Sequence, residues 1–430
     1  MIPDCHLKLT TKNKTISLFS LYLSLIRWNK PVSQSKNYDF IIAGGGIVGL
    51  SVAHELSARY PSAKIAVLEK ESDIGVHASG RNSGVLHSGI YYGQDSLKAR
   101  VCSEGARRMF QFAKDHNIAC RKTGKVIIAA NDQDLITINS LLKNAADNKI
   151  TAHLLDEMQI KELEPHASPY KSGIYTPDTA SIDSKSVLRK VHDIVVSRGV
   201  EIHLGQKVVS VDHPRLQLKT SRGDFGYGYL FNCAGSGTDQ IAKMTGLAKE
   251  YTLLPFKGIY YKVSKEKNHL VNGNIYPVPD LKLPFLGVHF TRVINGDVYV
   301  GPTAIPAFGR ENYGLLQGIN SEAFRIIKDI CLMYAANQQN FRALMHAEMK
   351  KYIKPYFMNT ARKLVASIQP QDLLPSNKVG IRPQLINVAK RKIEMDYIIE
   401  QDANSMHVLN AISPAFTSAF AFAELLVNRM

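Results

Sequence analysis

Cysteine is scarce in this sequence, and its distribution argues against cross-links. Five cysteines occur in 430 residues, far apart and without a C-x-x-C pair, so neither a disulfide framework nor a structural zinc site is predicted. The histidines show no metal-ligand spacing, and no metal is expected. A reducing compartment fits this composition. The cysteines are Cys5, Cys102, Cys120, Cys233 and Cys331.

Acidic residues are also in deficit. The chain has 37 Asp and Glu against 53 Lys and Arg, a formal net charge of +16, which favours an acidic metabolite, an anionic membrane surface or nucleic acid as partner. Nucleic acid is the least favoured, because the basic residues are scattered and no recognisable binding module accompanies them. With 45% apolar and 21% charged residues, the composition is that of a globular protein, and its length suits about two domains.

Residues 1–36 form a basic leader that lacks a membrane-spanning run. Asp4 is its only acid, and its apolar run, Ile16–Ile26, is too short to cross a bilayer. As a helix this run would place serines along one stripe, which is typical of a surface-lying amphipathic segment or a targeting peptide. A cleaved secretory signal and an unstructured leader are the alternatives, since no convincing small-residue cleavage site is present.

The most informative stretch predicts a strand, a glycine turn and a helix. Phe40–Ala43 is an apolar run typical of a buried parallel strand, and a helical pattern runs from Leu50 to Arg59. The first glycine between them allows a tight turn, the second lets backbone approach a pyrophosphate, and the third lets helix pack on strand. The helix N-terminus then faces the phosphates. These glycines, at the G-x-G-x-x-G spacing, are Gly44, Gly46 and Gly49.

A second strand, Ile65–Leu68, ends in Glu69. A carboxylate at this distance from the glycine turn is placed to accept a hydrogen bond from a ribose hydroxyl and would repel a 2′-phosphate. The stretch therefore predicts a dinucleotide site that disfavours NADP. A glycine-rich turn in an ordinary α/β domain is the alternative.

The middle of the chain keeps an α/β character. Residues 75–93 are too rich in Gly, Ser and Asn for a regular element, and loops of this length are often functional. Ala234 and Gly235 end a buried strand with small residues, which allow a ligand to approach the backbone closely. Helices are predicted over 97–117, 132–147 and 184–196, and strands over 124–130, 201–204, 208–211 and 229–235.

From residue 252 the pattern changes. Alternating, aromatic-rich runs at 258–263, 285–291 and 298–302 predict an antiparallel sheet with two distinct faces. Residues 321–363 contain no glycine and predict two helices broken near Pro355. The second helix carries a basic aromatic cluster. This cluster is either a solvated helix face or a contact surface for a membrane or a partner. The cluster comprises Lys350, Lys351, Lys354, Tyr352, Ile353, Tyr356 and Phe357.

The C-terminal segment returns to α/β character. Strands are predicted over 396–400 and 407–410, and small residues over 411–419 open a last helix, which predicts a second anion-binding helix start. Arg382 ends a predicted turn between a polar loop and a proline, where a carboxylate-binding role and a plain salt bridge are both open.

Several of these motifs together resemble the L-2-hydroxyglutarate dehydrogenase/oxidase family of D-amino-acid oxidase-like, FAD-dependent oxidoreductases. The glycine turn is shared by many flavoproteins. The runs Asn-Ser-Gly-x-x-His-Ser-Gly-x-Tyr-Tyr at 82–92 and Gly-Val-His-Phe-Thr at 287–291 are far more specific to this group. Further shared motifs lie at 232–235, 301–304, 380–382 and 410–415, so the resemblance spans residues 38–430.

The resemblance implies an α/β fold with a discontinuous Rossmann-like FAD-binding domain and an α+β substrate domain built on an antiparallel sheet. We expect residues 37–97, 181–250 and 370–430 in the first domain, and 98–180 and 251–369 in the second. The implied substrate residues are Tyr91, Lys257, Tyr260 and Thr303. The implied FAD-binding residues are Gly44, Gly46, Gly49, Glu69, Lys70, Ser79, Arg81, Asn82, Ser83, Gly84, Val208, Ala234, Gly235, Ser413, Ala415 and Thr417.

Three residues are candidates for the chemistry. A flavin does the redox work, while the protein must orient the substrate and take a proton from its hydroxyl. A neutral histidine with a pKa near 6.5 suits that proton, and both His87 and His289 lie in the specific motifs. Either one is alternatively a hydrogen-bonded structural histidine. Arg382 is the candidate for the substrate carboxylate.

The leading expectation is oxidation of a small anionic 2-hydroxy acid, L-2-hydroxyglutarate to 2-oxoglutarate, with electrons passed to a quinone or to oxygen. An amine or amino-acid oxidase of the same fold and a flavin-binding, membrane-associated protein without turnover are the alternatives. The expected location is cytoplasmic and peripheral to the inner membrane, mitochondrial in a eukaryote.

This sequence departs from the family pattern at several positions. Lys257 stands where the family usually has arginine, and Thr303 stands where it usually has asparagine. The closing motif has Ile412 and Phe416 where the family usually has proline and alanine. Lysine lacks the bidentate fork of arginine, so the substrate end of the site is expected to differ more than the FAD end.

Overall fold

A computed structural model describes residues 36–430, so the basic leader predicted over 1–36 lies outside the described residues except for Lys36. The described helices are α1 (Ile47–Arg59), α2 (Leu97–Asp115), α3 (Asp132–Asp147), α4 (Glu157–Leu163), α5 (Ser184–Ser197), α6 (Thr238–Met244), α7 (Glu322–Ala336), α8 (Phe341–Lys350), α9 (Lys354–Arg362) and α10 (Ala415–Val427). Short 3-10 turns occur between them.

The strands form three sheets. They are β1 (Lys36–Ala43), β2 (Ile65–Leu68), β3 (Val85–Leu86), β4 (Cys120–Lys122), β5 (Lys125–Ile128), β6 (His153–Asp156), β7 (Ser172–Thr176), β8 (Ala180–Ile182), β9 (Glu201–His203), β10 (Val208–Asp212), β11 (Gln217–Thr220), β12 (Asp224–Asn232), β13 (Tyr251–Val263), β14 (Asn274–Pro277), β15 (His289–Arg292), β16 (Val298–Gly301), β17 (Ile305–Pro306), β18 (Leu373–Asn387), β19 (Lys392–Ile393), β20 (Ile399–Gln401) and β21 (Ser405–Val408).

The first sheet has the parallel core that the glycine turn predicts. β1 pairs in parallel with β2 and β12, β2 with β9, and β12 with β21. Such strands are buried on both faces and read as continuous apolar runs. Ile42 and Val67 point into a core with α1, α2, α5 and α10, while Ile41 and Ala66 point into a second core on the other face.

The second sheet is larger and almost entirely antiparallel, as the alternating runs predict. Its order is β19-β18-β13-β16-β15-β14-β5-β7-β6, with β17 beside β13. The exception is the parallel pair β14 and β5. One face packs Val126, Ile275 and Phe290 against α9. On the other face Ile127 and Tyr276 pack toward α3 and the loop at Ile90.

The helices over 321–363 differ from the prediction. The segment contains three helices, and Pro355 lies in the first turn of α9 rather than at a break. Proline is tolerated there because the first N–H groups of a helix have no partner within it. Phe357 is fully buried, so it does not belong to the exposed surface of the basic aromatic cluster.

The C-terminal third also differs. Arg382, predicted to end a turn, lies in the middle of β18, where it faces Phe256 of β13 across a long antiparallel ladder. Residues 373–387 therefore belong to the second sheet, although the predicted FAD-binding segment began at residue 370. The alternation that reveals a two-faced strand is broken here by Pro375, Gly380 and Pro383.

Helix α2 lies with the first sheet, although residues 98–180 were assigned to the substrate domain. Val101, Met109 and Ala113 of α2 join the same core as α1 and α10. A Cβ on Gly105 would lie 2.4 Å from the Cα of Ser418, so only glycine permits this close crossing of α2 and α10. Over residues 36–430, no helix combines the length and apolar character needed to cross a membrane.

Candidate active site

The glycine turn joins β1 to α1 in a conformation that requires glycine. Gly44 has a φ of +113°, and a Cβ there would lie 2.4 Å from the carbonyl oxygen of Cys233. A Cβ on Gly49 would lie 2.0 Å from the oxygen of Gly44. Gly46 is the N-cap of α1 and has no side-chain cap. The start of α1 is thereby presented to the adjoining cavity, and bulk at these positions would fill it.

Glu69 stands at the end of β2 beside this turn. Its carboxylate accepts from the backbone N–H of Gly45 at 2.8 Å and from that of Glu71 at 2.9 Å, and the residue is 8% exposed. These two bonds fix the carboxylate next to the glycine turn. It retains acceptor capacity for a ribose hydroxyl, because an ionised carboxylate has about four lone-pair sites.

A single cavity of about 870 Å³ runs from Glu69 past the glycine turn to His289. It is lined by all but four of the residues proposed from the sequence. Gly49, Gly84, Lys257 and Thr303 are not in its wall. Those that are comprise Gly44, Gly46, Glu69, Lys70, Ser79, Arg81, Asn82, Ser83, His87, Tyr91, Val208, Ala234, Gly235, Tyr260, His289, Arg382, Ser413, Ala415 and Thr417.

The loop over residues 75–93 lines the cavity and also makes hydrogen bonds that hold its shape. Ser79 Oγ accepts from the N–H of Ile47 at 2.9 Å, at the start of α1. Asn82 Nδ2 donates to the carbonyl of Ser79 at 2.6 Å, and Asn82 Oδ1 accepts from the N–H of Gly84 at 2.8 Å. Gly84, absent from the wall, has a φ of +72°, so it shapes the loop through its backbone.

The end of the cavity near Glu69 is closed by the irregular segment that follows β17. Lys70 donates to Glu71 and to Glu311, and His77 stacks on Tyr313 with ring centroids 5.9 Å apart. Arg81 lies 4.1 Å above the same tyrosine ring. Glu71, His77 and Glu311 are spaced as metal ligands would be, but the Lys70 ammonium already lies between the two carboxylates and pairs with both. No sequence pattern predicts this network, because Glu311 and Tyr313 lie about 240 residues from Lys70 and His77.

His289 stands at the opposite end of the cavity with a defined tautomer. Its Nδ1 lies 2.7 Å from the carbonyl oxygen of Gly287. Because a carbonyl only accepts, Nδ1 carries the hydrogen and Nε2 is the proton acceptor. Burial, with smaller contributions from the charges of Arg382 and Lys125, lowers the pKa of His289 to about 3. The imidazole is therefore neutral at physiological pH.

His87 and Arg382 complete this end of the cavity. Burial lowers the pKa of His87 to about 3, with Lys125 and Arg382 adding to the shift, and its Nδ1 has no partner within residues 36–430. Arg382 Nη1 is likewise buried and lacks a partner in that range. A buried guanidinium N–H without an acceptor is costly, so Arg382 is suited to receive an anionic oxygen.

Two residues predicted to contact substrate point elsewhere. Lys257 Nζ donates to the carbonyl oxygen of Gly314 at 2.6 Å. Thr303 Oγ1 accepts from the N–H of Ile259 at 3.1 Å and lies 3.1 Å from the oxygen of Lys257, to which it donates. Both side chains therefore hold backbone together beside the cavity rather than lining it.

Sequence reasoning missed two charged residues near the site. Arg310 lines the cavity and bonds to Asp239 and Glu322, a pairing that no sequence spacing reveals. Lys125 lies on the sheet face that carries His289, and it is 1% exposed. A signal for Lys125 was available, because it is a lysine in phase with Ile127 on a strand that is otherwise apolar.

Known proteins are similar to this chain in both sequence and fold. The family described as FAD dependent oxidoreductase matches residues 39–429. An L-2-hydroxyglutarate dehydrogenase of Indibacter alkaliphilus is 36% identical over 90% of this chain and 96% of its own. Those of Escherichia coli K12 and Homo sapiens, the latter named mitochondrial, are 33% and 32% identical over 91% and 93% of this chain, and 93% and 89% of theirs.

The chain belongs to the L-2-hydroxyglutarate dehydrogenase family of FAD dependent oxidoreductases. Its expected fold class, cofactor and enzyme class are thereby confirmed: the protein is an FAD-dependent oxidoreductase acting on a CH–OH group. Among solved structures, the FAD-bound L-alpha-glycerophosphate oxidase of Mycoplasma pneumoniae superposes with a TM-score of 0.71 at 21% identity, covering 91% of this chain and 94% of that one. This last likeness concerns the fold.

The residues of this family member fit FAD. The turn at Gly44 and Gly49 leaves no room for a Cβ, the start of α1 is open to the cavity, and the Glu69 carboxylate is fixed beside it. These are the groups that a pyrophosphate and a ribose require. The same cavity continues to the two histidines and Arg382, so a bound dinucleotide and a small acid share one chamber.

Proposed function

We propose that the protein oxidises L-2-hydroxyglutarate to 2-oxoglutarate, with FAD as the hydride acceptor. The observation that carries this proposal is the juxtaposition of a buried, unpartnered Arg382 Nη1 with a neutral His289 in the wall of one cavity. An acidic substrate needs the first group, and removal of its hydroxyl proton needs the second. The names of the relatives support the choice of acid.

Arg382 binds a substrate carboxylate in this proposal. Its guanidinium lies 5.6 Å from the ring centre of Phe285, which limits the directions from which water can reach it. A planar fork bonds a carboxylate through two parallel N–H groups, and this geometry also fixes the orientation of the acid. The carboxylate would satisfy Nη1, which has no acceptor among the described residues.

His289 takes the hydroxyl proton. Its Nδ1–H is held by the carbonyl of Gly287, so Nε2 is the basic atom. The ring also stacks on Tyr276, with centroids 3.8 Å apart and an interplanar angle of 18°. The imidazole is thus fixed in orientation and tautomer before substrate binds, which is how a general base is made efficient. When bound, FAD supplies the chemistry of hydride acceptance from the carbon that bears the hydroxyl.

The FAD-binding roles follow the same cavity. The start of α1 at Gly46 would hold the pyrophosphate, and Glu69 would hold the ribose. The start of α10, at Ala415 and Thr417, supplies a second set of backbone N–H groups. His87 N–H donates to Thr417 Oγ1 at 3.2 Å, which links this helix start to the loop that carries His87. The other wall residues named above shape the chamber.

Anaerobic flavin bleaching tests the proposed substrate. The purified yellow protein is mixed with a panel of acids, and flavin absorbance is followed in the absence of oxygen. We expect L-2-hydroxyglutarate to bleach the flavin faster than its D-enantiomer, L-lactate, glycine, sarcosine or D-alanine. Bleaching by an amine or amino acid but not by L-2-hydroxyglutarate would replace the proposal with an amine-oxidase function.

We also propose that a quinone, reached at an anionic membrane surface, accepts the electrons. The support is the exposed part of the basic aromatic cluster, where Tyr352 is 45%, Ile353 54% and Tyr356 49% exposed beside basic residues. Exposed aromatic and basic residues together favour an interfacial position. Reoxidation of the reduced protein by a soluble quinone, faster than by air, is the expected result. Equal rates with both acceptors would argue for oxygen.

A further inference from the structure

The second sheet carries a buried lysine that the roles above do not use. Lys125 begins β5 and is 1% exposed. Because side chains alternate along a strand, Lys125 shares the face of Ile127, whereas Val126 and Ile128 point into the apolar core of the opposite face. Lysine is almost never fully buried unless it is paired, so this position needs an explanation.

Strand register surrounds Lys125 with polar side chains. β14 runs parallel to β5 with Ile275 beside Val126, so Asn274 is the neighbour of Lys125. β15 pairs with β14 so that Thr291 faces Asn274. Lys125, Asn274 and Thr291 therefore form a polar row across three strands, and all three are buried. His289 lies two residues before Thr291 on the same face, and its ring stacks on Tyr276.

Several buried polar atoms of this neighbourhood lack a hydrogen-bond partner in the described part of the chain, although Asn274 Nδ2 donates to Thr123 and to the carbonyl of Gly124. They are Lys125 Nζ, Asn274 Oδ1, Thr291 Oγ1 and the hydroxyls of Tyr91 and Tyr276. Lys125 Nζ lies 4.5 Å from the ring centre of Tyr91 and 5.3 Å from that of Tyr276. Tyr91 lines the active-site cavity, so one aromatic ring separates the amine from the substrate chamber. Clusters of unsatisfied buried polar groups are expected at functional sites.

Burial makes the amine of Lys125 easy to deprotonate. Burial lowers the pKa of Lys125 to about 7, while the Cys102 thiol of α2 opposes the shift. The other facing groups are His87, His289 and Arg382 of β18, and the Lys125 charge lowers the pKa of both histidines. A buried lysine near neutrality can be a base, unlike an arginine.

We propose that Lys125 is a further functional residue of the oxidation, a neutral amine that receives the proton leaving the substrate hydroxyl. The inference rests on the proposed function. As hydride leaves the substrate carbon for FAD, the O–H bond breaks and the C=O bond forms. The proton goes to His289 Nε2 and is then passed to the amine of Lys125, which becomes an ammonium. The imidazole returns to its neutral form, and charge balances.

The two histidines explain why a further acceptor is useful. Their imidazolium forms are disfavoured by burial and by Arg382, so a proton held there would return to the substrate oxygen. An amine with a higher proton affinity draws the proton away from the reacting atoms. Lys125 is thus a positioning and proton-storing residue rather than one that touches the substrate.

The first test compares three variants by anaerobic flavin reduction across pH. Lys125→Met removes the amine, and Lys125→Arg keeps a positive charge that cannot accept a proton. Thr176→Val is the matched control, because Thr176 is the β7 neighbour of Lys125 and its hydroxyl is already bonded to Thr179 at 3.0 Å. FAD content and melting temperature show whether each variant is folded.

We expect the wild-type rate of flavin reduction to rise with pH as a group with a pKa near 7 loses its proton. The Thr176→Val variant should show the same pH dependence. Both Lys125 variants are expected to lose this rise and to be slower at pH 8 by about 10²-fold, the lower end of what general acid–base groups contribute. A Lys125→Arg variant with the wild-type rate and pH profile would show that only a fixed charge matters, and would overturn the proposal. A Lys125→Met variant whose rate of flavin reduction still rises with pH near 7 would also overturn the proposal.

The second test measures binding and not turnover, so it can also be applied to variants that no longer reduce the flavin. Binding of 2-oxoglutarate is measured by calorimetry at pH 8 in buffers of different ionisation enthalpy, which reports proton uptake. An anion bound near Lys125 favours its ammonium form, so the wild type should take up a proton and Lys125→Met should not. Equal uptake by both would overturn the proposal.

The two proposals fail in different ways. If another acid of the panel bleaches the flavin and L-2-hydroxyglutarate does not, the substrate assignment fails, and both tests of Lys125 are run with that acid and its product. If no acid bleaches the wild-type flavin, both proposals fall.

Discussion

His289 and Tyr276 lie directly opposite each other on paired strands, and their rings stack with centroids 3.8 Å apart. The stacking holds the imidazole plane, and the bond from Nδ1 to Gly287 holds its rotation. The ring that faces the cavity is therefore held on one side by β14 and on its edge by the backbone just before β15.

Replacement of the base should slow the chemistry and leave the cofactor in place. We expect His289→Ala to lower the anaerobic rate of flavin reduction by about 10²- to 10⁴-fold, the usual contribution of a general base. His153→Ala, an exposed histidine on β6, is the control and should leave the rate unchanged. If His87→Ala is slow and His289→Ala is not, His87 is the base.

Replacement of the carboxylate-binding arginine should act on affinity. Arg382→Lys keeps the charge and loses the fork, so KM should rise about 10- to 100-fold, equivalent to one charged hydrogen bond. FAD content should not change. Arg107→Lys is the control, since Arg107 is 69% exposed and pairs with Glu104 on the surface. An unchanged KM in Arg382→Lys would remove Arg382 from the substrate site.

Bulk in the glycine turn should exclude the cofactor. Gly46→Val places a side chain at the start of α1, where even a Cβ would lie 3.0 Å from Ser79 Oγ, and the protein should purify colourless. Gly223→Val is the control, because a Cβ there meets only a ring carbon of Phe225 at 3.9 Å. A Gly46→Val protein with a full complement of FAD would contradict the site assignment.

Acid should destabilise the fold through its buried histidines. Burial lowers the pKa of His54 and of His407 to about 4, as it does for the two active-site histidines. The unfolded chain, with histidine pKa values near 6.5, then binds these protons more tightly. Stability that is present above pH 6.5 is therefore lost as the pH falls toward 4.

The measurement for acid stability is denaturant unfolding between pH 4.5 and 7.5. We expect the midpoint to fall with pH in the wild type and to fall less steeply in His54→Gln, which removes one of the titrating groups. His192→Gln, a histidine of α5 paired with Asp193, should keep the wild-type slope. Identical slopes in all three proteins would show that His54 does not contribute.

The basic aromatic surface should bind anionic vesicles at low salt. Each basic residue near such a surface contributes about 1 kcal/mol, and screening removes this attraction as salt is added. A variant with Tyr352→Ser and Ile353→Ser should co-sediment less, while Met158→Ser, a 74% exposed residue of α4, should not differ. Deletion of residues 1–36 should weaken binding without loss of FAD. An intact protein that stays in solution with anionic vesicles at low salt would end the idea.

The sequence predicted the parts of the fold that local chemistry determines. The glycine turn and Glu69 lie within 30 residues of one another, and their spacing follows from the geometry of one strand-turn-helix unit. The cofactor end of the site could therefore be proposed before the structure. His87 and His289 were found through motifs, but their neutral state depends on burial, which the sequence does not display. Burial lowers the pKa of both histidines to about 3, so neither is expected to titrate near neutrality.

The substrate end was harder to predict, because its geometry depends on contacts between distant strands. Lys257 was a reasonable candidate by charge, yet it is drawn to the carbonyl of Gly314 in a loop that the sequence could not position. The sequence predicts Arg382 at the end of a turn, whereas the structure places it within strand β18. Lys125 was passed over, since its neighbours Asn274 and Thr291 come from strands about 150 residues further along the chain.

The first sheet has a consequence for the order in which the protein is made. β1 pairs with β12, β12 pairs with β21, and α10 closes against α1 and α2. The ribosome completes the glycine turn early, but the wall that faces it is translated last. A nascent chain short of α10 therefore lacks the part of the cavity wall formed by residues 413–417. We expect FAD to bind only after the whole chain has been synthesised.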